Sequence, residues 1–224
     1  MPRRARLDFS DTVYHIYARG NNKLPIFTVA SDYERFLRYL MQTKQEKPFL
    51  LLAFCLMPNH YHLQIKTQDP SLAKIMHALN GEYASYFNFQ HNRVGHLFQN
   101  RYHSIPVWDE MYMQRLNRYI HLNPVAARIT PSPDYYRWSS YAEYFSQRPT
   151  YIVREPILEL FGDDLLSQQS NFSRYTQEGM AIPLEFNERV LLRTRSFGDN
   201  KMAEEVRLIA PLGPSPILGM GPVQ

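Results

Sequence analysis

The sequence predicts an α+β fold built around one antiparallel sheet. Residues 60–66 alternate between apolar and polar side chains, as a half-buried strand does. Residues 49–56, just before them, form a short apolar run that is typical of a buried strand. Pro58 and Asn59 lie between the two segments and are turn-forming residues. We therefore expect the two strands to be antiparallel neighbours.

The chain before this hairpin predicts a strand and a helix. Residues 12–18 are rich in valine, isoleucine and tyrosine, and the polar turn of residues 19–23 ends this strand. Residues 31–34 have the pattern of a capping box, and apolar residues then recur at helical spacing to about Glu46. Cys55 lies in the apolar run and is expected to pack in the core.

The chain after the hairpin predicts a second helix, a fourth strand and a third helix. Residues 71–89 carry an apolar stripe at helical spacing, and residues 95–107 are strand-like up to about Pro106. Asp109 is expected to cap the third helix. Pro124 is expected to end it, because the residue before a proline is disfavoured in helical geometry.

The predicted order is therefore βαββαβ followed by a helix. This order is typical of the ferredoxin-like fold, an antiparallel sheet with two helices on one face, and the third helix is free to cover the other face. We expect residues 1–145 to form this domain and residues 146–210 a small, mostly helical C-terminal extension, with helical segments at 156–179 and 200–209. Residues 211–224 are rich in proline and glycine and predict a disordered tail.

Composition narrows the class of protein. The formal net charge of +4 permits a nucleic-acid partner without requiring one. A single cysteine excludes a disulfide framework, and no apolar stretch reaches the length of a membrane span. The N-terminal residues lack the apolar segment of a secretion signal, so we expect a cytoplasmic protein.

Two histidines of the predicted hairpin form the first candidate site. His60 and His62 are separated by one residue on a strand, so their side chains point to the same face, roughly 7 Å apart along the strand. Tyr61 points to the opposite face. Two imidazoles at this spacing can bind one divalent metal, although paired histidines also occur on plain solvated sheet faces.

A tyrosine of the third helix is the second candidate. Tyr119 lies at the margin of the apolar stripe, and Asn123 lies four residues later on nearly the same side. Topology places this helix over the histidine face, so Tyr119 is expected opposite the two histidines. The chain has sixteen tyrosines, so an ordinary core tyrosine is the simpler alternative. Position alone does not exclude Tyr17 or Tyr102 as the functional tyrosine.

Two segments together resemble the single-tyrosine HUH transposases of bacterial insertion sequences, and among them the REP-associated tyrosine transposases. These segments are MPNHYHL at residues 57–63 and RYIHLNPV at residues 118–125. The likeness covers about residues 1–145. Further matching segments are YHI at 14–16, RGN at 19–21, GHLF at 95–98, RY at 101–102 and WSSY at 138–141.

The resemblance implies an enzyme that cleaves and joins single-stranded DNA next to a short, REP-like hairpin. His60 and His62 would match the metal-ligand histidines of the family, and Tyr119 the catalytic tyrosine. Asn123 would match the polar residue that completes a site for Mg²⁺ or Mn²⁺. Related insertion-sequence enzymes carry glutamine at that position, so the chain departs from the family pattern there. Either a monomer or a homodimer is compatible with the resemblance.

DNA binding is expected to use basic and polar side chains near the N-terminus, in the first turn and in the fourth strand region. Arginine suits phosphate and guanine contacts, and Arg19 and Asn21 are expected near the foot of the hairpin. The predicted DNA-binding residues are Arg3, Arg4, Arg6, Arg19, Asn21, Lys23 and Arg101.

Two other functions fit the same residues. One is a hairpin-binding regulatory protein that keeps the fold but does not transpose. The other is a metal-dependent phosphodiester hydrolase that forms no covalent intermediate. The two differ from a transposase in whether Tyr119 forms a bond to DNA.

Overall fold

A computed structural model describes residues 9–68 and 71–181 and confirms the predicted α+β fold. The elements up to residue 126 are β1 Val13–Arg19, α1 Ala30–Glu46, β2 Phe49–Met57, β3 His60–Thr67, α2 Leu72–Gln90, β4 His103–Val107 and α3 Glu110–Ala126. The sheet order is β2-β3-β1-β4, and all neighbouring strands are antiparallel. This is the arrangement of the split βαβ fold that the element order predicts.

The chain after α3 is helical in part. Helix α4 spans Glu155–Leu158 and helix α5 spans Leu165–Glu178, so the helical segment predicted at 156–179 is interrupted. Glycine at position 162 adopts a φ of 156°, which a continuous helix does not allow. The helical segment predicted at 200–209 and the predicted disordered tail lie outside the described residues, as do Arg3, Arg4 and Arg6. The proposed boundaries at residues 145 and 210 stay predictions.

The two faces of the sheet are covered as the alternation of β3 predicts. Tyr61, Leu63 and Ile65 are fully buried against α1 and α2. The Tyr61 ring lies 4.9 Å from the ring of Phe36 on α1, and its hydroxyl donates to Asn80 of α2 at 2.7 Å. Helix α3 packs on the opposite face, where the even-numbered side chains of β3 point. The free Cys55 is buried, as predicted.

Helix α1 begins with a different cap from the one predicted. The helix starts at Ala30, and the carboxylate of Asp32 accepts hydrogen bonds from the backbone N–H groups of Thr28 at 2.9 Å and Val29 at 3.2 Å. The predicted cap, Ser31, therefore lies inside the first turn. Asp32 is fully buried and also bonds to His91 after the end of α2, at 3.0 Å. Asp32 thus joins the start of one helix to the end of the other.

Helix α3 begins as predicted but continues past Pro124. The side chain of Asp109 accepts a hydrogen bond from the N–H of Tyr112 at 2.8 Å and caps the helix. Proline cannot donate the bond that the carbonyl of Ile120 would otherwise accept. The helix nevertheless extends to Ala126, since Pro124 is buried against the domain and packing outweighs the lost bond.

The fourth strand is shorter than predicted. Residues 95–102 form a loop, and only a single bridge between Gly20 and Phe98 joins this loop to the first turn. The sheet therefore ends at β4, and the loop is anchored by Leu97 and Tyr102, which are buried in the core. In the described part of the chain, no helix is both long enough and apolar enough to cross a membrane.

Asp32 is expected to stabilise the fold in a pH-dependent way. Burial raises the pKa of its carboxyl group, but hydrogen bonds from His91, Thr28 and Val29 outweigh burial and hold the pKa below its ordinary value. Such a group stabilises the fold above the pKa of an unfolded aspartate, about 4, and the contribution is lost as the pH falls through the folded-state pKa. Asp32→Asn should therefore lower the unfolding free energy by about 1–3 kcal/mol at pH 7, and by less at pH 3.

Urea unfolding at the two pH values measures this difference. Asp163→Asn, at an exposed aspartate, is the matched control and should change stability little at either pH. If Asp32→Asn loses as much unfolding free energy at pH 3 as at pH 7, the pKa of Asp32 in the folded protein is not below its ordinary value.

Candidate metal and tyrosine site

The candidate site lies where α3 crosses the sheet. The ring of Tyr119 stands edge-on to the ring of His62, with 5.3 Å between their centroids. The His60 ring lies 5.1 Å from the His62 ring on the same strand. His62 and Tyr119 are almost fully buried, at 5% and 6% exposure. The structure therefore brings the predicted tyrosine against the predicted histidine pair.

A buried polar ladder sets the rotation of α3 on the sheet. Asn117 donates from Nδ2 to Oε1 of Gln64 at 3.1 Å and to the hydroxyl of Tyr144 at 2.8 Å. Gln64 in turn donates to the backbone carbonyl of Met113 at 3.2 Å. Gln64 lies two residues after His62, and Asn117 two residues before Tyr119. The ladder therefore fixes which side chain of α3 meets the histidine face.

The C-terminal extension holds α3 from its outer side. The guanidinium of Arg118 lies over the ring of Tyr175 on α5, 4.1 Å from its centroid. Gly179 packs so closely that a Cβ there would lie 2.5 Å from Cδ of Arg118 and 2.9 Å from a methyl carbon of Leu122. These contacts flank Tyr119, so the extension helps to hold the tyrosine helix in place.

Asn59 holds His60 in one tautomer. Nδ2 of Asn59 donates to the backbone carbonyl of Lys23 at 3.1 Å, so Oδ1 is the atom that faces Nδ1 of His60 at 2.7 Å. An amide oxygen only accepts, so Nδ1 of His60 carries the proton and Nε2 carries the lone pair. Burial, and then the charge of Arg19, lower the pKa of His60 to about 4, so the ring is neutral at pH 7. Sequence reasoning identified Asn59 only as a turn residue.

Asn123 presents its amide oxygen to His60. Nδ2 of Asn123 donates to the backbone carbonyl of Tyr119 at 2.7 Å, which leaves Oδ1 free to face the histidine. The same amide favours the protonated form of the His60 ring and so raises its pKa, against the larger effect of burial. The amide group of Asn123 therefore lies within hydrogen-bonding reach of the His60 ring.

These donor atoms fit a divalent metal with mixed nitrogen and oxygen ligands. Among residues 9–68 and 71–181, no group of three or more His, Cys, Asp or Glu side chains is arranged to hold a metal ion. The candidate donor groups on this face are therefore the two imidazoles of His60 and His62 and the amide of Asn123. Burial, and then the repulsion that a protonated ring would meet from protonated His60 and His15, lower the pKa of His62 well below its ordinary value, so this ring is neutral too. Neutral imidazole is the form that binds metals.

His15 of β1 belongs to the site and was not predicted. Its Nε2 lies 2.9 Å from Nδ1 of His62, and the two rings stack with their centroids 5.1 Å apart and a 21° angle between their planes. The Tyr119 ring lies 5.8 Å from that of His15. Burial lowers the pKa of His15 to about 3. Alternation along β1 places His15 on this face, but the contact becomes visible only when β1 is known to pair with β3.

The structure separates the other candidate tyrosines. Tyr102 packs in the apolar core with Tyr61, on the opposite side of the sheet. Tyr17 lies on the histidine face, with its ring 5.9 Å from that of His62 and stacked on His103 at 4.7 Å. Tyr17 is therefore the natural comparison for Tyr119 in any test of the nucleophile.

The predicted DNA-binding residues of the described chain lie at the end of β1 and on two adjoining loops. Arg19 is the last residue of β1, Asn21 and Lys23 lie in the turn after it, and Arg101 belongs to the loop of residues 95–102. Backbone hydrogen bonds of 2.9 and 2.8 Å join Arg19 and Asn21 to that second loop. The three cationic side chains are exposed. Because β1 pairs Arg19 with His60, this basic surface adjoins the histidine face.

The first of these loops requires glycine at position 20. A Cβ on Gly20 would lie 2.1 Å from the carbonyl oxygen of Leu24. The N–H of Gly20 donates to the carbonyl of Asn59 at 2.8 Å, which ties the loop to the turn before β3. Asn22 and Lys23 adopt left-handed φ angles of 52° and 61°. The loop therefore has a defined shape that depends on the turn beside His60.

Comparisons with known proteins point to one family. The model of the family described as "Transposase IS200 like" matches residues 8–123, a range that contains His60, His62, Tyr119 and Asn123. Among solved structures, the chain is similar to a REP-associated tyrosine transposase bound to a REP hairpin, with 12% identity, coverage of 74% of this chain and 93% of that chain, and a TM-score of 0.56. At this identity the likeness shows the fold alone.

A second solved structure gives a weaker match. It is a candidate transposase from Deinococcus radiodurans R1, with 19% identity, coverage of 50% of this chain and 92% of that chain, and a TM-score of 0.38. This match carries no further argument. None of the curated proteins compared with the chain matches it.

Asn117 is expected to be needed for stability. Asn117→Ala removes the donor that pairs with Gln64 and with the hydroxyl of Tyr144, and both acceptors are buried. The unfolding free energy in urea should fall by at least about 1 kcal/mol. Asn100→Ala, at an exposed loop position, is the control and should change stability by less than about 0.5 kcal/mol. Equal losses of unfolding free energy in the two variants would show that the hydrogen bonds of Asn117 do not stabilise the fold.

Proposed function

Because the chain belongs to the IS200-like transposase family, we propose that it cleaves and rejoins single-stranded DNA beside a hairpin through a covalent bond to Tyr119. The observation that carries the proposal is the contact of Tyr119 with His62, on a face where His60 and Asn123 converge. A tyrosine nucleophile and a pair of neutral imidazoles are the two components that such chemistry needs.

The proposed metal ligands are His60, His62 and Asn123. A divalent cation bound there would polarise the non-bridging oxygens of a phosphodiester and orient the phosphorus for in-line attack. Two imidazole nitrogens with one amide oxygen suit Mn²⁺ better than Mg²⁺, which prefers oxygen ligands alone. Both ions are candidates for the cofactor, with Mn²⁺ expected to support the stronger activity in vitro.

The proposed reaction exchanges one phosphoester for another. The phenolic oxygen of Tyr119, after loss of its proton, attacks the phosphorus, and the bond from phosphorus to the 3′-oxygen of the neighbouring nucleotide breaks. The 3′-oxygen takes up a proton and leaves as a hydroxyl group, while the 5′-phosphate stays on the tyrosine. A 3′-hydroxyl of the same or another strand reverses the step. Since the phosphoester is conserved, rejoining requires no ATP.

The proposed DNA partner is a single strand that carries a REP-like hairpin. The structurally similar REP-associated protein is bound to a REP hairpin, which is a property of that protein. For this chain the support is the exposed basic surface of Arg19, Lys23 and Arg101 next to the histidine face. Phosphate contacts from such side chains give affinity, and contacts with base edges give sequence preference. The cytoplasmic location and the choice between monomer and homodimer stay predictions.

The nucleophile is tested with Tyr119→Phe. Loss of the hydroxyl should reduce the covalent DNA–protein product by at least about a thousandfold, because no other group replaces the attacking oxygen. Labelled single-stranded hairpin DNA from the region flanking the gene, incubated with Mn²⁺ and run on a denaturing gel, measures this product. Tyr17→Phe is the matched control and should keep it, whereas His62→Ala should lose it.

The alternatives give different gels. Cleaved DNA that is free of protein and survives Tyr119→Phe would indicate a hydrolase without a covalent intermediate. A covalent product that is lost in Tyr17→Phe and kept in Tyr119→Phe would move the nucleophile to Tyr17. Hairpin DNA that is bound but never cut would favour the regulatory function.

Recognition of the hairpin is tested with Arg19→Ala in EDTA, where metal binding does not contribute. Loss of one phosphate contact should weaken binding about tenfold and reduce the salt slope of log K by about 0.7–0.9. Arg148→Ala is the control. Arg148 is exposed and lies shortly before Val153, whose N–H donates to the carbonyl of Leu51 near the start of β2, far from the loop after β1. The affinity and the salt slope should both stay unchanged in this variant. If Arg19→Ala leaves the hairpin affinity and the salt slope unchanged, the hairpin binds at another part of the protein surface.

A further inference from the structure

The bond between His15 and His62 joins two imidazole rings through facing nitrogens. His15 Nε2 and His62 Nδ1 are 2.9 Å apart, and both residues are buried. One proton lies between these nitrogens, so one ring donates and the other accepts. If His62 donates, its Nε2 has a lone pair; if His15 donates, Nε2 of His62 carries hydrogen instead. This single proton therefore decides whether His62 is able to bind a cation.

The other two candidate ligands, His60 and Asn123, each have a hydrogen-bond partner that fixes the orientation of the side chain. Asn59, itself oriented by the carbonyl of Lys23, fixes the proton of His60 on Nδ1. The carbonyl of Tyr119 orients the amide of Asn123 so that its oxygen faces the histidine. Histidines that bind metals generally donate their second N–H to an acceptor, which fixes both tautomer and ring orientation. His62 has His15 in the corresponding position.

We propose that His15 is a positioning residue that accepts the Nδ1 proton of His62 and so directs the lone pair of Nε2 to the cation. This inference rests on the metal site of the proposed function. In this arrangement each of the three ligands is oriented by a hydrogen bond from its far side. The stacking of the two rings adds a second constraint on the His62 plane.

The two nitrogens of the buried His15 ring have different surroundings. Nε2 faces His62, whereas Nδ1 is buried and has no hydrogen-bond partner among the described residues. An unpaired buried polar group is unfavourable, and an apolar ring would stack on His62 without it. When Nε2 of His15 accepts, Nδ1 carries the proton of the ring, so the proposed bond to His62 is kept at the cost of a buried N–H group without a partner in the described part of the chain.

Two amide substitutions separate positioning from packing. His15→Gln places its amide near the position of Nε2 and should keep an acceptor for His62, so the dissociation constant for Mn²⁺ should stay within about threefold of wild type. His15→Asn places its amide near the position of Nδ1 and should raise that constant about 10–100-fold. His15→Phe, which keeps the stacked ring, should behave like His15→Asn. Mn²⁺ alone is titrated and followed by electron paramagnetic resonance, and hairpin affinity in EDTA should be equal in all variants.

The proton itself is located by ¹⁵N NMR of the metal-free, histidine-labelled protein, with His62→Ala used for assignment. Wild type should show the proton of His62 on Nδ1. A proton on Nε2, or Mn²⁺ binding by His15→Asn and His15→Phe within threefold of wild type, would overturn the proposal. Wild-type protein that binds no Mn²⁺ would instead refute the metal site of the proposed function, and the NMR result would still decide the tautomer.

Discussion

The position of α3 on the sheet depends on a buried polar ladder. Gln64 and Asn117 bond to each other, and Asn117 also bonds to Tyr144. Apolar contacts are non-directional and would allow several neighbouring rotations of the helix. Buried polar groups allow only a rotation that pairs them. That rotation sets the ring of Tyr119 against His62, so the candidate chemistry depends on hydrogen bonds that take no part in it.

Local patterns predict most of this fold because the sheet buries its two faces against different helices. The alternation of β3 correctly assigned Tyr61 to the core and His62 to the α3 face. The errors arose where packing outweighs local preference. Pro124 remains inside α3 because its surroundings bury it, and the cap of α1 is set by Asp32, whose bonds to His91 no local pattern contains. Residues 95–102 have strand-like composition but lack a neighbouring strand over most of their length.

The site was predictable only as far as it lies within single elements. His60 and His62 follow from the period of one strand, and Tyr119 with Asn123 from one turn of helix. His15 is on another strand, and its bond to His62 requires the sheet order, which brings β1 beside β3. The sheet order depends on how distant parts of the chain pair. The periodicity of a short sequence segment therefore does not reveal that His15 lies beside His62.

Asn59 connects the surface loop to the buried histidine face through a single amide group. Its nitrogen donates to the carbonyl of Lys23, and its oxygen receives the proton of His60. A molecule that displaces the loop therefore alters the bond that fixes His60, and thermodynamic linkage makes the effect reciprocal. A ligand on the loop and a cation on the histidine face would then change each other's affinity by the same factor. This coupling would pass through the side chain of Asn59 alone.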